Sequence, residues 1–293
     1  MIREELVVDD VIVQKVDVYR FGEGSPRVLF TGGLHGGEMT GQYVAFEIIE
    51  RLKEKEDELS GEVVVIPRAN PAAFRRMQRT SPYDERDMNR IFPGRPDGTP
   101  TEILANKIWD IAVEMDYIVD LHCCGIYGSP YTLAQYEEFD FAGELADKID
   151  IPVVVQSAGA RGQLFVEAAL EDIPSVIIEL PGGGRTGVID MAAASRTVEA
   201  LMNLLVDLGV VPGEVREVNP VFCGKLRRLP APTHGLFLPQ VAPGEAFEAG
   251  QVLGTVDGEP LQVDFSGYIV IARPPGYTFR GSPTVVLAPL AEE

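Results

Sequence analysis

The chain holds three histidines, His35, His122 and His234. Two of them stand where strand-like runs end. His35 follows Thr31-Gly32-Gly33-Leu34 and opens His35-Gly36-Gly37-Glu38. His122 closes Asp120-Leu121-His122 after Tyr117-Ile118-Val119. Catalytic zinc takes three protein ligands and leaves one position for water, and two imidazoles with one carboxylate suit that number. His35 and Glu38 are three residues apart, so one turn can present both to one ion. The intervening Gly36-Gly37 allows the tight backbone this needs. Asp120, two residues before His122, lies on the same strand face and can orient a ligand by hydrogen bonding. The His-x-x-Glu pattern alone is weak, because many helices carry it by chance and a lone histidine is more often structural. A second strand-terminal histidine strengthens it, since sites in open α/β sheets form outside the carboxyl ends of strands.

The elements that would position these groups alternate. Arg27–Phe30 reads as a short buried strand, residues 39–55 as a helix and Glu62–Ile66 as a β-branched buried strand. Helix-like Thr101–Glu114 precedes strand-like Tyr117–Leu121, and helix-like Glu137–Lys148 precedes Val153–Gln156. Residues 163–170 read as helix, Ser175–Leu180 as strand and 190–208 as a final helix. Such alternation predicts an α/β fold with a largely parallel sheet covered on both faces. Residues 67–100 break the rhythm with many Pro, Gly and Arg and little periodicity. Loops this long in compact domains are functional or disordered, and arginine gathered within an acidic chain favours function. After Val211, Pro and Gly recur between short apolar runs, which predicts a small all-β domain. The expected division is 1–211 and 212–293.

Composition narrows the classes. The 293 residues include 25 Lys+Arg against 45 Asp+Glu, a net charge of −20. That sign repels phosphate backbones and argues against nucleic-acid binding; it serves solubility and favours cationic or zwitterionic ligands. Three cysteines do not make a disulfide framework. The start, MIREELVVDD, has no apolar signal core, and no apolar run approaches the ~20 residues that span a bilayer. A soluble cytoplasmic protein without membrane association is expected.

Five motifs occur in order: GGLHGGE, NPAAF, DMNRIFPG, DLH and IIELPGG. Together they resemble the succinylglutamate desuccinylase/aspartoacylase family, whose catalytic domain is similar to the zinc carboxypeptidases. The resemblance spans roughly residues 25–290. It implies a mixed sheet covered by helices and one zinc per chain, held by His35, Glu38 and His122. It implies that Glu179 is the catalytic glutamate, taking a proton from zinc-activated water and passing it to the leaving nitrogen. Read without the family, Glu179 is a strand-end carboxylate. Arg90 matches the residue that grips a substrate carboxylate, for which an arginine fork is suited, and Asn89 matches a supporting donor. Arg79, nine residues after Asn70, resembles the arginine that holds the scissile carbonyl or a substrate carboxylate; Arg75 and Arg76 compete for that place.

The chain also departs from the family. Aspartoacylases place a tyrosine and an arginine upstream of the catalytic glutamate to read an aspartyl side chain. Here the stretch is Phe165-Val166-Glu167-Ala168-Ala169, without arginine. With Glu167 nearby, a neutral or cationic amino-acid side chain fits better than aspartate. Cys123 and Cys124 read as small buried strand-end residues, and His234 as structural or at the site's mouth. Residues 212–293 resemble a biotinyl/lipoyl barrel, but residues 258–265 contain no lysine to carry a cofactor. In the family such a domain tends to cover the cleft. The expected activity is zinc-dependent hydrolysis of the amide bond of a small N-acyl amino acid. The alternatives are a metallocarboxypeptidase acting on short peptides and a non-catalytic binding protein on the same scaffold. The resemblance admits a homo-oligomer without fixing its number.

Overall fold

The β-branched runs become the centre of a ten-stranded sheet in the computed structural model, which describes residues 1–9 and 13–291. Its strands are β1 (Ile2–Asp9), β2 (Val13–Gly22), β3 (Arg27–Gly32), β4 (Glu62–Ile66), β5 (Tyr117–Gly125), β6 (Tyr131–Ala134), β7 (Val153–Gln156), β8 (Ser175–Gly183), β9 (Val188–Ile189) and β10 (Val221–Cys223). The spatial order is β1-β2-β4-β3-β5-β8-β6-β7-β10, with β9 beside β8. The central run β4-β3-β5-β8 is parallel, as are β6/β7 and β7/β10. The pairs β1/β2, β2/β4, β6/β8 and β8/β9 are antiparallel. The sheet is therefore mixed, with its most apolar strands in the parallel centre, where both faces are covered.

Among the described residues six α-helices cover it: α1 (Met39–Lys53), α2 (Pro71–Arg76), α3 (Pro100–Ala112), α4 (Asp140–Asp147), α5 (Leu164–Leu170) and α6 (Met191–Asp207). Val44, Ile48, Leu145, Leu201 and Leu204 of α1, α4 and α6 pack on Val28, Phe30, Val119 and Leu121 of one face. Leu104, Ile108 and Leu164 of α3 and α5 pack on Leu29, Val64 and Ile118 of the other.

Three features were not expected from the sequence. The hairpin β1–β2 extends the sheet; β1 is mostly exposed, so it carries no apolar alternation to betray it. β6, only four residues long, enters between β8 and β7. The segment 67–100 is not all loop. It contains α2, with Asn70 accepting from the Ala73 amide at 3.0 Å and Pro71 in the first turn, and a 3₁₀ turn at Met88–Arg90. Six residues are too short for a helical period to show, although Asn-Pro is a start signal.

Beyond β10 come β11 (Arg227–Pro230), β12 (Gly235–Pro239), β13 (Ala246–Phe247), β14 (Gly254–Val256), β15 (Glu259–Leu261), β16 (Gly267–Ala272), β17 (Gly276–Thr278) and β18 (Pro283–Pro289). They form two four-stranded sheets, ordered β11-β18-β16-β13 and β15-β14-β12-β17. Phe237, Phe247, Leu253, Ile269 and Leu287 fill their own core. A separate cluster joins Val270 and Ala288 to Tyr131, Val153, Val155 and Cys223 of the large sheet. No helix among the described residues is long and apolar enough to cross a membrane.

Candidate active site

β3 and β5 are parallel neighbours, so the turn after β3 and the end of β5 meet at one sheet edge. Glu38 occupies the position just before α1. Gly36 permits the close approach of α2: a Cβ there would lie 2.0 Å from the Ala73 carbonyl carbon. His35, Glu38 and His122 converge, with one ligand atom from each lying within 4.8 Å of the others. His35 and His122 are each 3% exposed.

The outer partners decide which atoms face inward. His35 Nε2 lies 3.0 Å from Asp87 Oδ1, and His122 Nε2 lies 2.7 Å from Asp120 Oδ2. Asp120 is itself held by the Thr31 hydroxyl at 2.6 Å, and Asp87 by Arg79 Nε at 2.7 Å. A carboxylate accepts, so each Nε2 can donate to the carboxylate behind its ring, which lets each Nδ1 offer a lone pair to a cation in place of a proton. Those two Nδ1 atoms are 3.2 Å apart and each is 2.8 Å from one oxygen of Glu38. Four donor atoms thus face one point, where either protons or a cation must lie between them. This donor set fits a divalent metal, with the ligand histidines oriented by carboxylates behind them.

The electrostatics say the same. Burial works against an imidazolium at His35 and His122, but the facing carboxylates outweigh it and raise both above the ordinary histidine value. Burial works against a charged Glu38 too, yet the two imidazoles hold its carboxyl well below the usual range. The pocket seeks positive charge.

Glu179 is the register partner of His122 across β5 and β8, so both side chains share a sheet face. Its Oε2 is buried and has no hydrogen-bond partner. Burial pushes its carboxyl up to about 7; the imidazoles pull the other way and Glu38 and Asp120 reinforce the rise. Tyr131 of β6 stands opposite Glu179 on the next strand and is buried.

The remaining residues divide. Arg79 lines a cleft of 310 Å³ together with His35, Glu38, Met77, Cys123 and Arg185. One of its guanidinium nitrogens is 3.4 Å from His35 Nδ1. Arg75 and Arg76 sit exposed in the last turn of α2, away from that cleft. Asn89 Oδ1 accepts from the Leu164 amide at 2.9 Å, and its amide nitrogen lies 3.2 Å from His122 Nε2. Arg90 is exposed and donates to the Asn89 carbonyl at 2.6 Å.

Glu167 is not free to meet a ligand, because Arg161 grips both its oxygens at 2.7 and 2.8 Å and the Gly162 amide adds a third bond. The Cys123 amide donates to Glu38 Oε2 at 3.1 Å, and burial pushes its thiol up to about 12, which leaves it a poor nucleophile. Cys124 is oriented towards the Leu180 carbonyl at 3.3 Å. His234 is exposed in the β region, edge-on to Phe279. The β strands buttress the sheet next to Tyr131, Val153 and Val155.

Sequence reasoning missed Asp87, which was hidden in the DMNR motif as a neighbour of the expected residues and lies 3.0 Å from His35 Nε2. Asp120→Asn tests the orienting carboxylate: zinc affinity is expected to fall about 10–100-fold with the fold retained. A metal titration giving wild-type affinity would remove that role.

Residues 24–205 match the family described as the succinylglutamate desuccinylase/aspartoacylase catalytic domain. Over 210 residues the chain is 31% identical to the N-alpha-acetyl-L-2,4-diaminobutyric acid deacetylase of Halomonas elongata. The match covers 69% of this chain and 60% of that protein, so the chain spans about three fifths of this curated relative. Among solved structures it is similar to a succinylglutamate desuccinylase/aspartoacylase from Rhodobacter sphaeroides, with TM-score 0.78 and 26% identity over 97% of this chain and 94% of that one. An aspartoacylase family protein from Mesorhizobium loti shares the fold, with TM-score 0.80 and 22% identity over 99% and 95% of the two chains.

Proposed function

The chain belongs to the succinylglutamate desuccinylase/aspartoacylase family, and from that premise we propose that it is a zinc-dependent deacylase of small N-acyl amino acids. The observation that carries the reading is the convergence of both histidine Nδ1 atoms on the two oxygens of Glu38, with the unpartnered Glu179 oxygen on the same sheet face. His35, Glu38 and His122 would hold the zinc ion, whose charge would activate water and polarise a carbonyl.

The chain's own groups do the rest. Glu179 accepts the proton of the attacking water and returns it to the leaving nitrogen, which its raised carboxyl value suits. Arg79, held by Asp87 beside His35, donates to the scissile carbonyl oxygen as negative charge grows there. Asn89 ties the Met88–Arg90 turn to α5 and steadies the floor under His122. The cleft volume of 310 Å³ suits a small substrate. We divide the chain into a catalytic part, residues 1–211, and a β part, 212–293, whose own core supports the division, although β10 (Val221–Cys223) returns to the large sheet and a shared cluster joins the two parts.

The Halomonas relative's name points to an acetylated amino acid with a cationic side chain. The missing aspartyl-reading arginine in residues 165–169 supports the same preference. Amine release from N-acetyl and N-succinyl amino acids, beside short peptides, tests the proposal on zinc-loaded protein. Turnover of acyl amino acids is expected, with acetylated diamino acids above acetylaspartate. Turnover of peptides alone would make the protein a carboxypeptidase, and none with metal bound would make it a binding protein.

A further inference from the structure

A second cavity, of 180 Å³, opens between β2, α1 and α2. Three cations line it, Lys15, Arg68 and Arg75, beside one carboxylate, Asp17. That excess runs against the composition of a chain in which carboxylates outnumber cations 45 to 25. Asp17 does not balance it, because Arg3 takes its Oδ1 through Nε and a terminal nitrogen at 3.0 and 2.7 Å. Lys15 reaches Glu5 at 2.8 Å across the β1–β2 hairpin, and Arg75 stands exposed in the last turn of α2.

Arg68 is half-buried and fixed on three sides. Its Cζ lies 3.6 Å from the ring centroid of Phe74 and 5.7 Å from that of Phe46, so two aromatic faces set the plane of the guanidinium. Its Nε donates to Gln42 Oε1 at 3.0 Å. Gln42 is fully buried and cannot swing away: its Nε2 donates to the Gly36 carbonyl at 3.3 Å, and a Cβ on Gly33 would come within 3.0 Å of its side chain. The partner of Arg68 is thus a neutral amide locked in place. Among the described residues no carboxylate pairs with Arg68, and Gln42 is the only side chain it bonds. Burial lowers its guanidinium from the usual arginine value, with the charge of Asp17 acting against the fall.

The protein therefore fixes the direction of this cation and leaves its charge unmatched. Two terminal nitrogens on a rigid fork match two oxygens of an oxyanion, and a group ordered beforehand loses little entropy on binding. The cavity is smaller than the ~300 Å³ at which drug-sized sites begin, which suits a small ion and not an organic ester. Three cations around one space favour a dianion over a monocarboxylate.

We propose that the Arg68 pocket is a binding site for inorganic phosphate, separate from the cleft of His35, Glu38 and His122. Arg68 grips two phosphate oxygens, and Lys15 and Arg75 add charge from the rim. The site stands independently of the deacylase reading.

Equilibrium dialysis of radiolabelled phosphate against zinc-loaded protein tests it, with ionic strength held constant by NaCl. Wild type should show a saturable site that Arg68→Gln weakens at least about tenfold, as loss of charged hydrogen bonds implies. Arg75→Gln, at an exposed position where folding is not at stake, should weaken it about two- to fivefold, the worth of a surface charge. Phosphate should raise Tm more in wild type than in Arg68→Gln, since binding to the folded state adds to the exclusion effect common to both. Acetate at equal ionic strength should not displace the label. No saturable binding to wild type overturns the proposal. So does equal affinity in wild type and both variants, which would put the phosphate at the metal or in the cleft. Equal displacement by acetate overturns the choice of a dianion.

Discussion

Glu179→Gln is expected to lower kcat by about 10²–10⁴-fold, the usual worth of a positioned acid–base group, and to keep zinc and Tm at wild-type levels. The substitution preserves shape and removes only the ability to hold a proton. It should not destabilise the fold. Burial of an unpartnered oxygen already pushes the Glu179 carboxyl up to about 7, so the charged form is the one the structure disfavours. A group whose value is raised on folding contributes its stability below the ordinary carboxyl value and loses it as pH rises through the raised one. Above neutral pH a glutamine therefore forfeits no favourable charge. The same shift sets the pH profile. The base must be ionised, so kcat/KM should fall as pH drops through the value of the free enzyme. A bound divalent cation draws that value down, which puts the acid limb at or below about 7. Glu179→Gln should flatten this limb along with the rate. A variant that turns over normally, or retains the limb, would remove Glu179 from the chemistry.

Removing the metal, by chelation or by Glu38→Ala, is expected to abolish turnover and to lower Tm. Binding to the folded state alone stabilises by about 4 kcal/mol at a free-metal concentration 1,000 times Kd. The size of the Tm gap should depend on pH. Without a cation, protons must neutralise the facing lone pairs, and His35 and His122 accordingly have raised values. Their contribution to the metal-free protein is complete below the ordinary histidine value and is lost as pH rises through the raised ones. The metal-loaded protein has no such dependence, because the ion replaces those protons. The Tm difference between loaded and stripped protein should widen from pH 6.5 upward, which calorimetry at several pH values reads directly. A gap that is constant or narrows with pH would mean that the two histidines do not share a metal. In Glu38→Ala the gap should vanish, since one carboxylate supplies an oxygen towards each imidazole.

Local chemistry was legible in the sequence. The spacing of His35 and Glu38 lies within one turn, and a four-residue turn has few ways to present two side chains. Asp120 and His122 alternate on one strand, so their shared face follows from the two-residue period alone. The runs EVVVI and SVIIEL announced the buried centre of the sheet, because β-branched residues with no polar partner need cover on both faces. The order of the five motifs identified the family, and with it the mixed sheet.

What the tertiary structure decided is non-local. Asp87 reaches His35 across 52 residues, and Glu38 reaches His122 across 84. Those contacts select Nδ1 as the inward atom on both rings. The same folding brings Arg79 and Arg185, 106 residues apart, into one cleft wall. Glu167 looked available until Arg161 and the Gly162 amide closed on it. The β domain packs against the sheet beside Tyr131 through Val270 and Ala288. Residue type and short spacing determine what chemistry a turn or strand can offer. Which of those groups meet is set by the strand order β3-β5-β8 and by the loops folded over its end, and the free energy that chooses this order is spread across two apolar cores, out of reach of any single motif.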